Sequence, residues 1–458
     1  MTGEREKTGP PRNARQLAVE ILNRIDESGA HAEPLLNAAL SGTAFANPHD
    51  RGLLTELVYG TLRTRGRLDW IIGRFYRGDE AGIETEVRNI LRTGIYQLRF
   101  TERIPPFAAV NEAVAISKKK CPAAAGLVNA ILRNFLRKKD TVAWPAMAKD
   151  PGKAISILES HPRWLVERWL DSYGIEETVS ICRANNAIPP LTLRVNSLKA
   201  SRDQAIAALA QEGVASAPTP FSPDGLALAS PAPGLRDTAC YKSGLIRIQD
   251  EASQLISLLA APEPGGRVLD LCAGTGGKTL HLAARMENRG RITAADLRPE
   301  KLRQLQEEAA RLGVTITETL AADAADVPET YHEAFDRVLL DAPCSGMGTL
   351  RRNPEIRWRL VPADLEKCKQ IQERLIRGAA DCVKPGGHLI YSVCAVTPEE
   401  NEAVIEGILA GRRDFTLVPP DAARGIPPAL TDETGFFRTF PHRHNMDGFF
   451  GAVLIRTG

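Results

Sequence analysis

The chain has 458 residues, 43% hydrophobic and 25% charged, with a formal net charge of +2, which is enough chain for two or three separate cores. It contains no run of about 18 apolar residues, and residues 1–15 are polar, which argues against a membrane-spanning helix and a secretory signal peptide. We therefore expect a soluble cytoplasmic protein, with a monomer as the default.

The cysteine pattern bears on metal binding and redox state. The chain has eight cysteines but no C-x-x-C pair, so the sequence indicates neither a zinc site nor a secreted disulfide framework. We expect reduced thiols and no bound metal.

Residues 1–140 are predicted to form a helical bundle, because apolar residues recur at intervals of three and four between residues 15 and 140. The segment contains 22 Lys and Arg against 16 Asp and Glu, a net charge of +6. This excess favours a polyanionic partner such as RNA, and a solubilising helix surface is the alternative. The basic residues on its polar faces are Arg63, Arg65, Arg67, Lys118, Lys119, Lys120, Arg133, Arg137, Lys138 and Lys139.

Residues 141–240 are predicted to form a small α+β domain. Residues 191–195 have the pattern of a strand, and Ser201 with Gln204 three residues later is a capping-box signal for the next helix. Residues 215–234 are rich in Pro, Ser and Ala and predict a loop with a short strand at 226–228. The segment contains no catalytic constellation.

Residues 241–458 are predicted to form a Rossmann-like α/β domain. Strand segments at 268–271 and 291–296, and two more ending at Asp341 and Ser392, alternate with helical segments. Such alternation is typical of parallel strands joined by crossover helices. Sheets of this kind bind ligands at the carboxyl ends of their strands, so we expect the site there.

A glycine-rich loop joins the first of these strands to its helix. A P-loop is disfavoured because its first glycine would fall at Cys272, and a G-x-G-x-x-G fingerprint because its third would fall at Thr279. Glycines still let a backbone approach a ligand, and the free N–H groups of a helix start can bind a carboxylate. The loop residues expected to bind a cofactor are Cys272, Ala273, Gly274, Thr275, Gly276, Gly277 and Lys278.

Three acids follow successive strands. Asp296 lies twenty residues beyond Gly276, where an acid accepts from ribose hydroxyls, and Asp323 is expected to contact an adenine amine. Asp341 follows the next strand. Each acid alone could be a cap or turn residue. Together with the glycine loop, they are typical of an S-adenosylmethionine-dependent methyltransferase.

Two cysteines follow strands on similar scaffolds. Cys344 lies in Asp341-Ala342-Pro343-Cys344-Ser345, and Cys394 ends Tyr391-Ser392-Val393-Cys394. Two thiols at strand ends, one of them preceded by Asp-Ala-Pro, suggest covalent attack on a pyrimidine ring. For either cysteine alone, a buried inert thiol is the alternative.

Three motifs in residues 241–458 are distinctive: residues 341–349 with Arg351-Arg352-Asn353-Pro354-Glu355, residues 391–394 with Pro398-Glu399-Glu400-Asn401, and Asp447-Gly448-Phe449-Phe450. They resemble those of the RNA cytosine-C5 methyltransferases of the NOL/Sun family. Residues 1–140 are also similar to a NusB-type RNA-binding bundle, especially at residues 56–60 and 128–133. The combination resembles the bacterial members that act on 16S rRNA and spans nearly the whole chain.

The chain departs from the family pattern at two places. Gly274-Thr275 precedes Gly276 where the family usually has Ala-Pro, and Val393 and Ala395 flank Cys394 where it has Thr and Ser. The first change affects the stiffness of the cofactor loop, and the second removes two hydroxyls beside the thiol. Neither removes a reacting group.

The resemblance implies a mechanism and site residues. Cys394 is implied to attack C6 of a cytosine, Asp341 to bind N3 and the methyl donor, and Cys344 to remove the C5 proton and release the enzyme. The target nucleotide of 16S rRNA would be single-stranded or unstacked. A cationic and aromatic segment is expected to contact it, with a solvated helix start as the alternative: Arg351, Arg352, Arg357, Trp358 and Arg359.

Other functions stay open at this point. One is a non-catalytic RNA-binding or ribosome-assembly factor that keeps a methyltransferase fold. Another is a cytosine-C5 methyltransferase that acts on a different RNA such as tRNA. A methyltransferase acting on nitrogen, DNA or protein is a third, although amine methyltransferases typically have Asn/Asp-Pro-Pro-Tyr/Phe where this chain has Cys344.

Overall fold

The computed structural model describes residues 13–42, 45, 49–230, 232, 234–420 and 424–458. Residues 1–12, which belong to the polar segment for which no signal peptide is expected, lie outside these ranges. Two positions of the predicted loop at 215–234 also lie outside them, residues 231 and 233.

The described residues form helices and strands in the following chain order. The helices are α1 (Ala14–Ser28), α2 (Ala32–Gly42), α3 (His49–Phe75), α4 (Thr85–Phe100), α5 (Pro106–Lys120), α6 (Ala125–Lys138), α7 (Pro151–Leu158), α8 (Arg163–Asn186), α9 (Arg202–Gln211), α10 (Ala239–Lys242), α11 (Glu251–Leu259), α12 (Thr279–Arg285), α13 (Pro299–Leu312), α14 (Ile356–Arg359), α15 (Pro362–Asp381), α16 (Glu402–Gly411) and α17 (Pro441–His444). The strands are β1 (Thr192–Val195), β2 (Ser216–Pro218), β3 (Gly225–Leu228), β4 (Ile246–Ile248), β5 (Arg267–Leu271), β6 (Arg291–Asp296), β7 (Thr317–Ala321), β8 (Phe335–Asp341), β9 (Val383–Val393), β10 (Phe415–Leu417), β11 (Phe437–Thr439) and β12 (Phe449–Arg456).

The chain divides into two compact units. Unit 1 consists of Met1–Ala187 together with Arg352–Leu360, and unit 2 consists of Ile188–Arg351 together with Val361–Gly458. Unit 1 therefore includes a short segment that lies far along the chain from the rest of it.

Unit 1 is helical, as its apolar spacing predicts. Asn13 caps α1, its side chain accepting from the backbone N–H groups of Arg15 and Gln16, and Gly29 ends the helix in the left-handed region. The predicted apolar positions are buried: Leu54, Leu57 and Val58 are all 0% exposed. These positions contribute to one core that draws on α1 to α6.

The segment at 352–360 packs into unit 1 through fully buried polar groups. Arg357 is 0% exposed and donates to Oδ1 of Asn186 at 2.7 Å and to the carbonyl oxygen of Asn185 at 3.0 Å. Glu355 is also 0% exposed and accepts from the N–H of Ala32 at 3.1 Å. The segment is therefore part of the fold of unit 1.

Unit 2 contains a small antiparallel sheet with the strand order β2-β3-β1-β4. The predicted strand at 191–195 is β1, and the predicted strand at 226–228 falls within β3. The capping box of α9 is confirmed: Gln204 N donates to Oγ of Ser201 at 3.3 Å and Ser201 N to Oε1 of Gln204 at 2.8 Å. The small α+β module predicted from the sequence is therefore present.

The large sheet of unit 2 is mixed. Its strand order is β10-β12-β9-β8-β5-β6-β7, with β11 paired to β12. Strands β5 to β9 pair in parallel, as the alternation of strands and helices predicts. Strand β12 pairs antiparallel with β9, a strand that the parallel pattern does not predict. Helices α12, α13 and α15 pack on the parallel strands and enclose a core containing Val268, Leu269 and Val338.

Within the part of the chain that the structure describes, no helix combines the length and apolarity required to cross a membrane.

Candidate active site

The parallel strands of unit 2 bring most of the predicted site residues to one edge of the large sheet. Leu271 at the end of β5 pairs with Ala295 of β6 and with Leu340 of β8, and Asp341 pairs with Ser392 of β9. Residues that directly follow these strands must therefore lie close together, as expected for an open α/β sheet.

A cavity of about 450 Å³ opens at this edge. Six predicted site residues line it, and they include both acids and thiols. It is lined by Cys272, Asp296, Leu297, Arg298, Lys301, Ala322, Asp323, Ala324, Asp341, Ala342, Pro343, Cys344, Ile371, Arg374, Leu375 and Cys394. The sequence did not identify the cationic members Arg298, Lys301 and Arg374, because nothing in their helical context distinguishes them from surface residues.

The glycine loop is held against the second strand by Asp296. The N–H of Gly274 donates to Oδ2 of Asp296 at 2.8 Å, and the N–H of Arg298 donates to Oδ1 at 2.9 Å. Gly276 has a φ of 78°, and a Cβ there would lie 2.6 Å from Cγ of Leu305, so a larger residue would be strained and would collide with the Leu305 side chain. Asp296 thus lines the cavity and also fixes the loop beside it.

Two arginines of the small α+β module support the back of the same loop. Arg194, which is buried, donates to the carbonyl oxygen of Gly277 at 2.6 Å. Arg247 donates to the carbonyl oxygen of Thr275 at 3.0 Å. These contacts have no local sequence signal, because their partners lie 83 and 28 residues apart in the chain.

The interior of the loop is strongly desolvated. Burial, followed by the nearby Asp341 and Asp296, raises the pKa of the Cys272 thiol to about 12. Burial also raises the pKa of Asp270 to about 7, and Oγ1 of Thr279 donates to this carboxyl at 2.5 Å. Cys272 is therefore a neutral thiol in the cavity wall.

Asp323 is paired across the cavity rim. Its Oδ2 lies 3.0 Å from Nη2 of Arg374, and its Oδ1 accepts from the N–H of Ala325 at 2.9 Å. The Ala325 N–H and the Arg374 guanidinium lower the pKa of Asp323 against the opposing effect of burial. A carboxylate has about four lone-pair positions, so Asp323 can accept further hydrogen bonds from a ligand.

Asp341 is oriented by two side chains. Nζ of Lys278 lies 2.6 Å from Oδ2 of Asp341, and Oγ of Ser392 donates to Oδ1 at 2.8 Å. Lys278 is 8% exposed and its Nζ lies 5.1 Å from the centroid of the Phe449 ring. Lys278, which the sequence places in the expected cofactor loop, thus contacts Asp341 directly.

The thiols of Cys344 and Cys394 are adjacent, with 3.2 Å between the two Sγ atoms. The hydrogen bond with Cys394 and burial raise the pKa of Cys344 well above its ordinary value. Two nucleophilic atoms thus meet beside Asp341 at one end of the cavity.

Close backbone packing brings the two cysteine segments together. The N–H of Gly348 donates to the carbonyl oxygen of Cys394 at 2.9 Å. A Cβ at Gly348 would lie 1.8 Å from the carbonyl oxygen of Gly448, which no other residue could tolerate without moving the backbone. The glycines of two family motifs therefore meet beside the thiol pair.

The expected nucleic-acid contact of residues 351–359 is wrong for Arg357, and so is its alternative, a solvated helix start. Arg357 is buried within unit 1, where burial lowers its pKa to about 9. Nε1 of Trp358 donates to the carbonyl oxygen of Leu62 at 3.0 Å, and the guanidinium of Arg65 lies 5.3 Å from the indole ring. In unit 2, Arg351 donates to Oδ1 of Asn445 at 2.7 Å and is 8% exposed. These three side chains are therefore hydrogen-bonded to protein groups that are distant in sequence.

Comparison with protein families gives three matches along the chain. Residues 12–137 match the NusB family, residues 161–234 match the RsmF/B-like ferredoxin-like domain, and residues 257–455 match the 16S rRNA methyltransferase RsmB/F model.

Relatives match the chain over almost its entire length. The probable ribosomal RNA small subunit methyltransferase B of Bacillus subtilis is 35% identical, with 97% of this chain and 99% of the relative covered. The ribosomal RNA small subunit methyltransferase B of Escherichia coli is 33% identical, with 97% and 99% covered. A methyltransferase homolog from Pyrococcus horikoshii aligns with a TM-score of 0.59 at 29% identity, covering 67% of this chain and 99% of that structure. The chain belongs to the ribosomal RNA small subunit methyltransferase B family.

Proposed function

We propose that this protein transfers a methyl group from S-adenosylmethionine to C5 of a cytosine in 16S rRNA through a covalent bond between Cys394 and C6. The observation that carries the proposal is the thiol pair: Sγ of Cys344 and Sγ of Cys394 lie 3.2 Å apart at a cavity that Asp341 also lines. Methylation of an amine or a hydroxyl would need neither thiol.

The choice of rRNA as substrate rests on the relatives and on the charge of unit 1. The relatives in B. subtilis and E. coli carry the name of small-subunit rRNA methyltransferases. The first 140 residues have a net charge of +6, which suits a phosphate backbone. The reacting base must leave its stack to reach a cavity at a sheet edge, so a single-stranded or unfolded target fits best.

The residues around the cavity fit S-adenosylmethionine. Asp296 and Asp323 are acceptors at the ends of adjacent strands, suited to the ribose hydroxyls and the adenine amine, and each has lone pairs left beyond its present bonds. A Cβ at Gly274 would meet no atom within 4 Å, so the loop leaves space beside Asp296. When bound, this cofactor supplies a methyl group on a positively charged sulfur.

The protein's own groups activate the base. Sγ of Cys394, as thiolate, adds to C6, and the electron pair of the C5–C6 double bond moves toward the ring carbonyl and N3. Asp341, in its protonated form, donates a hydrogen bond or its proton to N3, where negative charge develops. Lys278, 2.6 Å from Oδ2, stabilises the carboxylate that remains once a proton has moved. C5 becomes nucleophilic and accepts the methyl group.

Release reverses the addition. Cys344, as thiolate, takes the proton from C5, the C5–H electron pair re-forms the C5–C6 double bond, and the C6–S bond breaks. The leaving electron pair returns Cys394 to a thiolate, a proton given to N3 returns to Asp341, and Cys344 passes the C5 proton to solvent, so the enzyme is restored. The 3.2 Å separation of the two Sγ atoms supports these separate roles, because one thiol can be bonded to C6 while the other reaches the neighbouring carbon.

The test is methylation of 16S rRNA by purified protein with radiolabelled donor, followed by analysis of the nucleosides and denaturing electrophoresis of the protein. Wild-type protein should yield labelled 5-methylcytidine. Cys394→Ala should form neither product nor adduct, whereas Cys344→Ala should accumulate a donor-dependent protein–RNA adduct that it cannot release. An adduct from the Cys394 variant alone would reverse the two roles. Full turnover by both variants would eliminate the covalent mechanism.

A further inference from the structure

The peptide groups on both sides of Cys344 are held by two buried side chains from other parts of unit 2. Nε2 of Gln372, on α15, donates to the carbonyl oxygen of Pro343 at 3.0 Å. The N–H of Ser345 donates to Oε1 of Glu400 at 2.7 Å. The two side chains also bond to each other, since Nε2 of Gln372 lies 3.1 Å from the same Oε1. One connected polar cluster thus brackets Cys344.

Glu400 is firmly anchored within this cluster. Oγ1 of Thr397 donates to its Oε2 at 2.9 Å, and the hydroxyl of Tyr391 donates to its carbonyl oxygen at 2.7 Å. Thr397 is 1% exposed and Tyr391 is 0% exposed. The carboxyl group is therefore fixed from both its side chain and its backbone.

Burying a glutamine and a glutamate is costly unless their polar atoms are satisfied. Gln372 and Glu400 are both 0% exposed, and neither lines the cavity. Neither is therefore placed to touch a substrate or a cofactor in it. Each instead bonds one of the two peptide groups that flank Cys344, in addition to the bonds that join Gln372 to Glu400 and Thr397 to Glu400.

We propose that Gln372 and Glu400 are positioning residues that hold the Cys344 loop so that its thiol stays beside that of Cys394. This inference rests on the proposed function, in which Cys344 removes the C5 proton. The loop between β8 and the helical turn at Met347–Thr349 has no strand pairing of its own at Cys344. Without the Gln372 and Glu400 side chains, the Cys344 thiol would sample a wider range of positions. Removal of the C5 proton would then be slower, because it requires close approach of the thiol to one atom.

The polar cluster of Gln372 and Glu400 restrains the position of Cys344 more than that of Cys394. Cys394 directly follows β9, whose residues up to Val393 are paired with β12, so its own strand fixes it. Loss of the cluster should therefore slow release from the RNA more than attack on it. The charge of Glu400 also contributes to raising the pKa of Cys344, after the effects of Cys394 and burial.

The test uses the full-length protein with Gln372→Ala, 16S rRNA and S-adenosylmethionine. Alanine suits the helix interior and removes both bonds of the Gln372 side chain, the one to the carbonyl oxygen of Pro343 and the one to Glu400. We expect turnover to fall roughly 10- to 100-fold with an unchanged KM for RNA, while the covalent adduct rises well above the wild-type level. Gln370→Ala is the matched control, because Gln370 is exposed on the same helix and bonds to Glu366.

Glu400→Gln is the second variant, since it keeps the shape of the side chain and remains available if Gln372→Ala folds poorly. It should also accumulate adduct, and Glu400→Ala should accumulate more. Donor affinity by calorimetry and the melting temperature separate a positioning role from a general loss of structure. A merely structural role would lower adduct formation and turnover together, and that result, or wild-type release by both variants, would overturn the inference.

Cys344→Ala in the same experiment separates this inference from the proposed function. If Cys344→Ala traps the adduct and the Gln372 and Glu400 variants do not, the positioning role fails and the mechanism stands. If Cys344→Ala forms no adduct and turns over normally, the proposed function fails and the inference fails with it.

Discussion

Nζ of Lys278 and Oδ2 of Asp341 lie 2.6 Å apart, although 63 residues separate them in the chain. Lys278 begins the helix that follows β5, and Asp341 ends β8, the neighbouring strand. Ser392 donates to the other oxygen of the same carboxyl. Both oxygens of Asp341 are thus held by donors from adjacent strand ends, which fixes the plane of the carboxyl group toward the cavity.

Lys278→Met should lower methyl transfer by roughly 10- to 100-fold, because the variant leaves Asp341 without its charged donor and free to rotate. RNA binding should not change. Single-turnover kinetics with labelled donor measures the effect, and Lys367→Met is the control, since Lys367 is exposed and pairs with Asp364 on the same helix. A wild-type rate in the Lys278 variant would show that Asp341 needs no such support.

Asp296→Ala should weaken S-adenosylmethionine binding by an order of magnitude or more, a cost of about 1–3 kcal/mol. The variant removes a ligand acceptor and also the two backbone bonds that Asp296 receives from Gly274 and Arg298. Calorimetry with the donor measures the change. Asp326→Ala is the control because Asp326 is exposed and outside the cavity lining. Equal affinity in the Asp296 variant and the wild type would remove Asp296 from the cofactor site.

Acid should destabilise unit 2 through His281. This side chain is 1% exposed, with Nε2 3.0 Å from Oδ2 of Asp224. Burial and then Arg194 lower its pKa to about 4, assisted by Arg285 and opposed by Asp224. The unfolded chain binds this proton near pH 6.5 and the folded chain does not until about pH 4, so stability falls as the pH drops between these values.

His281→Gln removes that proton uptake and should reduce the loss of unfolding free energy between pH 7 and pH 5 by about 2 kcal/mol. Urea denaturation at the two pH values measures it. His332→Gln, at an exposed position, should leave the pH dependence as in the wild type. An equal loss of stability in the His281 variant and the wild type would contradict the assignment.

The basic end of α6 should contribute to RNA affinity. Replacing Arg137, Lys138 and Lys139 with Gln should weaken rRNA binding and reduce the slope of affinity against salt by roughly two, because fewer phosphate contacts release fewer counterions. The full chain is required, since a truncation that removes unit 1 residues also removes the partners of Arg357.

The matched control for this charge change neutralises three exposed lysines of unit 2, namely Lys242, Lys367 and Lys384. Filter binding over a range of salt concentrations compares the two triple variants. Identical affinities and slopes would show that the bundle offers no special RNA surface at this helix end.

The parts of the fold that could be predicted from the sequence are those with a local signal. The three- and four-residue spacing around Leu57 predicted the helices, the Ser201–Gln204 pair predicted a capping box, and short apolar runs predicted β5, β6 and β8. Six of the cavity residues could be predicted from one rule about parallel strand ends, because each lies at the end of a strand or within three residues of it.

What could not be predicted depends on distant partners. Arg357 has the sequence context of an exposed cation, yet its partners Asn185 and Asn186 lie 172 and 171 residues earlier. The contacts of Gln372 and Glu400 with the Cys344 loop are equally non-local, at separations of 29 and 55 residues. Local periodicity contains no information on which buried polar groups will meet.

The membership of residues 352–360 in unit 1 has a consequence for biosynthesis. The first 187 residues leave the ribosome well before Arg357, whose carbonyl partner at Ser160 lies 197 residues earlier. During that interval, the groups of unit 1 that later contact this segment are exposed to water. Most of unit 2 also emerges from the ribosome before the segment does. The helical unit reaches its final state only after all of β5 to β8 has been translated, so its last folding step is coupled to the synthesis of the catalytic domain.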